Sequence, residues 1–172
     1  IHEGEHPRMG AVDVIPFIPI QGIGIEECAV LAERLAERLH TELGLPTYLY
    51  GTAATSQGRS NLSTLRKGEV EGLKARFEGT SDVHDAETAR PDFGPDSWEE
   101  QITRTGATAV GARKILIAYN VNLDEEEPIV ARKIGSIVRS SGRLIRSESG
   151  TSRRIPGMLA SIKGMGVSLE AH

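Results

Sequence analysis

Cysteine occurs once in these 172 residues, tryptophan once, and aromatic residues make up only 4%. The lone Cys28 excludes an internal disulfide. No apolar run reaches the length of a membrane span and no secretory leader is recognisable, so an intracellular, soluble, cytoplasmic protein is expected. An excess of positive charge is also missing: 20 Lys and Arg stand against 24 Asp and Glu, a formal net charge of -4. That balance gives no general attraction to nucleic acid or an anionic membrane, and neither is expected as a partner. With so few aromatics, a core must rest on Ile, Val, Leu and Ala, while 19 glycines imply many special backbone positions.

Val12 to Ile20 is β-branched and apolar, but Pro16 and Pro19 each remove a ladder donor, which predicts a strand with an irregular end on an edge or bulge. From Ile25, the residues Cys28, Ala29, Ala32, Leu35, Ala36, Leu39 and Leu43 recur at three-and-four spacing with charges between them. This predicts a helix, started by Glu26 and Glu27 and stopped by Gly44. Tyr48 to Tyr50 reads as a short strand ended by Gly51. Residues 52–100 are loop-rich, with Leu62, Leu65, Val70, Leu73 and Phe77 as anchors for one or two short helices. The acidic stretch 80–90 is expected to be a mobile surface insertion, and His84 within it a solvated loop residue. Alternation over Lys114 to Leu123 predicts a further strand. A second helix with Val130, Ile134, Ile137 and Val138 on its apolar stripe, a basic loop, and a strand over 162–169 complete the pattern. Alternating strands and helices give an α/β fold of α+β layers, a mixed sheet packed by helices.

Three segments carry candidate chemistry. His2-Glu3-Gly4-Glu5-His6 matches the H-E-x-x-H string of zinc peptidases, but Gly4 and the proline after His6 oppose the helix that zinc geometry requires, and no metal is expected. Read as a loop, the same stretch offers His6 as a positioned base, Glu5 as a carboxylate beside it and Arg8 as a planar fork for a substrate carboxylate. A hydrogen-bonded structural His6 is the alternative. The second segment, Gly106-Ala107-Thr108-Ala109-Val110-Gly111-Ala112-Arg113-Lys114, reads as a small-residue loop whose amides approach a flat or anionic ligand, or as a plain tight turn. The third, Arg139, Arg143, Arg146, Arg153, Arg154 and Lys163, is either a solvated basic face or a receptor for carboxylates. Cys28 belongs to the core.

Longer blocks go beyond composition. Gly4 to Ala11 (G-E-H-P-R-M-G-A) with Asp13 to Pro19 resembles the signature of the glutamate formimidoyltransferase family. Y-L-Y-G at Tyr48–Gly51, R-K-G-E at Arg66–Glu69, P-D-F-G-P at Pro91–Pro95, G-A-T through G-A-R-K at Gly106–Lys114, A-Y-N-V-N-L at Ala118–Leu123 and K-G-M-G-V at Lys163–Val167 follow in the family's order. The resemblance implies a folate-dependent transferase of histidine degradation and one-carbon metabolism. It would move a formimidoyl group from N-formimidoyl-L-glutamate to N5 of tetrahydrofolate, polyglutamylated or not, without a metal. It further implies His6 as catalytic base and Gly106 through Ile115 as folate contacts. Apart from the resemblance, Glu5, Arg8, Asn120 and Asn122 are candidate substrate contacts by their own chemistry. Residues 1–123 would be the N-terminal subdomain without its first segment, and 124–172 the beginning of a second subdomain, in a homodimer; a piece cut at both ends could itself be inactive. Formyl transfer from N-formylglutamate and a non-catalytic folate-binding module are the alternatives.

Overall fold

The computed structural model describes residues 7–124, 127–146 and 152–158. They fall into two compact units, drawn from residues 1–117 and 118–172.

In the first unit, three parallel strands form one sheet in the order β1-β3-β2. These are β1 (Val14–Phe17), β2 (Thr47–Gly51) and β3 (Thr108–Ala112). The register sets Val14 and Tyr48 beside Ala109, and Phe17 and Gly51 beside Ala112. The proline-bearing β1 lies at an edge, as its missing donors require. The central β3 is buried at every position and built of small residues, which fits a strand covered on both faces.

Helix α1 (Ile25–Leu43) covers one face. Glu27 accepts from the Gly24 amide at 2.8 Å at its start, and Gly44 ends it in the left-handed conformation at φ 68°. Its Ala32 and Ala36 pack on Leu49 and Val110, with Ile15, Phe17, Leu35 and Leu39 around them. Cys28 is buried on the same helix. The Thr47 hydroxyl, donating to the Ala36 carbonyl at 3.1 Å, ties β2 to the helix.

Short helices α2 (Leu62–Leu65), α3 (Leu73–Glu78), α4 (Ala86–Ala89) and α5 (Ile102–Thr105) supply the second core. Leu65, Leu73, Phe77 and Ile102 pack there with Met9, Tyr48, Tyr50, Ala107 and Ala109. Arg76 is fully buried in this layer. Its guanidinium donates to the Leu65, Thr88 and Ala89 carbonyls and lies 4.2 Å from the Tyr48 ring centre. Those bonds fix the end of the acidic stretch, so two expectations for 80–90 fail. Residues 86–89 are helical, capped by Asp85, and His84 is buried rather than solvated. Its ring nitrogens lie 2.8 Å from the Lys67 carbonyl and 3.3 Å from the Thr88 hydroxyl. A histidine with both nitrogens satisfied by protein loses little by leaving water.

The strand predicted over 114–123 is also corrected. Residues 113–123 have no regular secondary structure, and Ile115, Ile117, Tyr119 and Val121 are exposed. The strand of this region is β3, which stops at Ala112 because both neighbours stop opposite it; the Arg113 amide, bonded to the Phe17 carbonyl at 3.1 Å, closes the ladder.

In the second unit, α6 (Pro128–Val138) starts on a proline, and the antiparallel strands β4 (Arg143–Arg146) and β5 (Ser152–Ile155) form a two-stranded sheet. The basic stretch is therefore in large part strand rather than loop, with Arg146, Arg153 and Arg154 exposed along it. Ile134, expected on the covered stripe of α6, is 43% exposed. Lys163 and the strand expected over 162–169 lie outside the described residues.

Candidate functional site

Backbone pairing sets the geometry. The Ala107 amide donates to the Met9 carbonyl at 2.9 Å, and the Ala11 amide to the Thr105 carbonyl at 3.0 Å. Gly10 and Gly106 face each other across this pairing. A Cβ on Gly10 would lie 2.5 Å from the Ala107 carbonyl oxygen, and Gly106 sits at φ 66° with its hydrogen against Gly10. Only glycine fits either position. The chain just after Pro7 is thereby held against the entry to β3.

Arg8, the first candidate side chain within the described residues, lies over a charged turn. Its guanidinium is 3.7 Å from the Glu69 carboxylate and 3.6 Å from that of Glu71, with 17% of the side chain exposed. The fork expected to meet a substrate carboxylate thus already faces two carboxylates of the chain. Asp13 answers from the other side, accepting from the Met9 amide at 2.6 Å and from Arg66. Two oppositely directed ion pairs therefore join 8–13 to the R-K-G-E turn. A cleft of about 840 Å³ opens beside this junction, lined by Arg8, Gly10, Val70, Lys74, Trp98 and Gly106. Trp98 stands edge-to-face against Phe77, with ring centres 5.8 Å apart.

The reading of 106–114 as a loop does not hold. Thr108 to Ala112 are the central strand, and their amides serve the sheet. Gly111 is needed because a Cβ there would come within 2.6 Å of the Tyr50 ring, so its smallness serves packing inside the protein. Only Arg113, Lys114 and Ile115 emerge, at the carboxyl end of the sheet, where open parallel sheets bind ligands. Asn120 and Asn122 are exposed in the other unit. His6, Glu5 and the H-E-x-x-H string lie outside the described residues. Among the described residues, no group of three His, Cys, Asp or Glu side chains could hold a metal, and no helix is long and apolar enough to cross a membrane.

Sequence reasoning passed over Trp98, Lys74 and the partners of Arg8. Helical or strand periodicity gives no sign of them; the usable signals were the single tryptophan and the R-K-G-E block.

The profile of the formiminotransferase domain, N-terminal subdomain, matches residues 1–113. A glutamate formimidoyltransferase of Streptococcus pyogenes serotype M1 is 44% identical over 142 residues, 82% of this chain and 44% of the relative. A protein of the same name from Thermoplasma acidophilum is 42% identical over 139 residues, 81% of this chain and 43% of the relative. The formimidoyltransferase-cyclodeaminase of Mus musculus is 41% identical over 169 residues, 98% of this chain and 28% of the relative. The chain thus spans less than half the length of these relatives, and the matching family profile over residues 1–113 places it: the chain belongs to the formiminotransferase family.

Proposed function

We propose that this chain is part of a folate-dependent transferase that moves the formimidoyl group of N-formimidoyl-L-glutamate to N5 of tetrahydrofolate, releasing L-glutamate. The observation that carries the reading is the pairing of Met9–Ala11 with Thr105–Ala107, which sets the described end of the first motif block beside the G-A-T block although they are distant in sequence. A reaction between two substrates gains most from elements that fix both in one place. The names of the relatives support the group transferred.

His6 is the general base of this reading. The N5 amine attacks the formimidoyl carbon, His6 takes the proton that N5 loses, and the same proton returns to the glutamate nitrogen as its bond to carbon breaks. Glu5 holds the developing positive charge of the amidine. Arg113, Lys114 and Ile115 are the part of the Gly106–Ile115 segment open to folate; Gly106 to Ala112 act by shaping the sheet beneath them. Arg8 acts through Glu69 and Glu71 as a positioning residue, and Asn120 and Asn122 are candidate substrate contacts. The subdomains are 1–123 and 124–172, in a cytoplasmic homodimer.

A transferase assay on the full-length protein tests this, following conversion of the product to its absorbing methenyl form in acid, with N-formyl-L-glutamate as the competing donor. Turnover with the formimidoyl donor that falls roughly 10²-fold or more in His6→Ala, with tetrahydrofolate binding retained, is the expected result. Equal loss of turnover and binding would make His6 structural.

A further inference from the structure

Tyr50 is 3% exposed, on the sheet face that carries Tyr48, and among the described residues its hydroxyl has no hydrogen-bond partner of good geometry, Arg113 being the nearest donor. Arg66 Nε is likewise buried without a partner although the other end of that guanidinium pairs with Asp13. Two buried polar atoms left open in one layer are unusual, because each forfeits water without replacement.

A third donor joins them. Tyr50 pairs in register with Gly111, and Arg113 follows two residues later, just past the end of β3 and beside the Tyr50 phenol. The bare Gly111 leaves room for the Tyr50 ring to lie across the strand, since any Cβ would meet it. Burial raises the Tyr50 phenol above its ordinary pKa, while the Arg113 guanidinium, by its charge and as a hydrogen-bond donor at the phenol oxygen, and the charge of Arg66 pull it down. The Arg66 side chain is 23% exposed, so part of it meets solvent although its Nε does not. Asp13 offsets one of the two positive charges, and the other remains.

We infer that Tyr50, Arg66 and Arg113 form a carboxylate subsite for a glutamyl group. Two planar guanidinium donors and a neutral hydroxyl match the geometry of a carboxylate and complete the open hydrogen bonds. Tyr50 comes from the Y-L-Y-G block, Arg66 from R-K-G-E and Arg113 from G-A-R-K, three separate stretches that the fold brings together. Identifying the ligand as glutamyl rests on the function proposed above, in which both the donor and the folate tail carry such carboxylates.

Steady-state kinetics of Arg113→Gln and Tyr50→Phe in the full-length protein test the subsite, with L-glutamate binding followed by calorimetry. The expected result is a roughly tenfold or greater rise in one KM in Arg113→Gln, a smaller rise in the same KM in Tyr50→Phe, and kcat within about threefold of wild type. A rise confined to N-formimidoyl-L-glutamate places the donor's carboxylate there; a rise confined to tetrahydrofolate, larger for its polyglutamate, places the tail there. Should the wild type transfer no formimidoyl group, the proposed function fails, and the subsite is then judged on calorimetry, where weaker L-glutamate binding in both variants upholds it. Unchanged KM values, or unchanged L-glutamate binding where turnover is lacking, overturn it. Tyr50→Phe preserves shape, so it gives a reading even if Arg113→Gln does not fold.

Discussion

Glu69 holds a left-handed backbone at φ 54° while its carboxylate lies 3.7 Å from the Arg8 guanidinium. It is the one described residue other than glycine with positive φ. The R-K-G-E turn therefore stores strain at the point where it meets the chain following His6. Strain of this kind persists where surrounding structure over-determines it, and it gathers at working sites. Glu69→Val, with a branched Cβ in that conformation, is expected to unfold in urea about 1–2 kcal/mol more easily than Glu69→Gly. Equal stability of the two would show that the turn relaxes.

One substitution at two positions of β2 should act in opposite directions. Tyr48 donates its hydroxyl to the Ala89 carbonyl at 3.0 Å, whereas the Tyr50 hydroxyl is buried without a partner of good geometry among the described residues. Tyr48→Phe should cost about 1 kcal/mol, and Tyr50→Phe without ligand should gain about 1 kcal/mol. Denaturant midpoints of the two variants against wild type provide the comparison. Burial pushes the Tyr48 phenol up to about 12, so its hydroxyl keeps the proton it donates throughout the ordinary pH range.

Removal of Arg76 should be the costliest of these changes. Its guanidinium serves three carbonyls on two segments, and Arg76→Met leaves the Leu65 and Thr88 oxygens buried without it, while Ala89 keeps Tyr48. A loss of about 3 kcal/mol is expected, read by urea unfolding. Proteolysis within 80–90 should also quicken, because Arg76 anchors the end of that stretch.

His84 gives stability a pH dependence. Burial lowers its pKa below the ordinary value, opposed by its hydrogen bond to the Lys67 carbonyl. The unfolded chain then binds a proton that the folded chain refuses, so the contribution of His84 is complete above the unfolded pKa of about 6.5 and is lost as pH falls through the lower folded value. Denaturation midpoints taken between pH 7 and 5 should fall more steeply in wild type than in His84→Gln.

Local signals were legible where one element decides its own fate. The three-and-four spacing and Gly44 fixed α1 at both ends, and Pro16 marked β1 as an edge strand. The errors arose where a distant partner decides. Lys114 to Leu123 alternates as a strand should, yet no neighbour continues past Ala112 to pair with it. His84 looked solvated because its company in sequence is polar, while its company in space is Lys67, Thr88 and the buried Arg76. The motif blocks located the site region, but the order of blocks does not show that Glu69 and Glu71 turn toward Arg8, nor that Arg113 comes beside Tyr50.

The strand order has a consequence for how this fold comes into being. β3 lies between β1 and β2 in space but follows both in the chain, and its register joins Val14 to Ala109 and Thr47 to Thr108. A nascent chain that has not yet delivered Thr108 owns two strands with no partner, and every sheet hydrogen bond must close a long loop before any of its energy is returned. Folding of this unit is therefore committed late and should be slow for its size, with the exposed edges of β1 and β2 open to wrong pairing until the small residues of β3 slide between them.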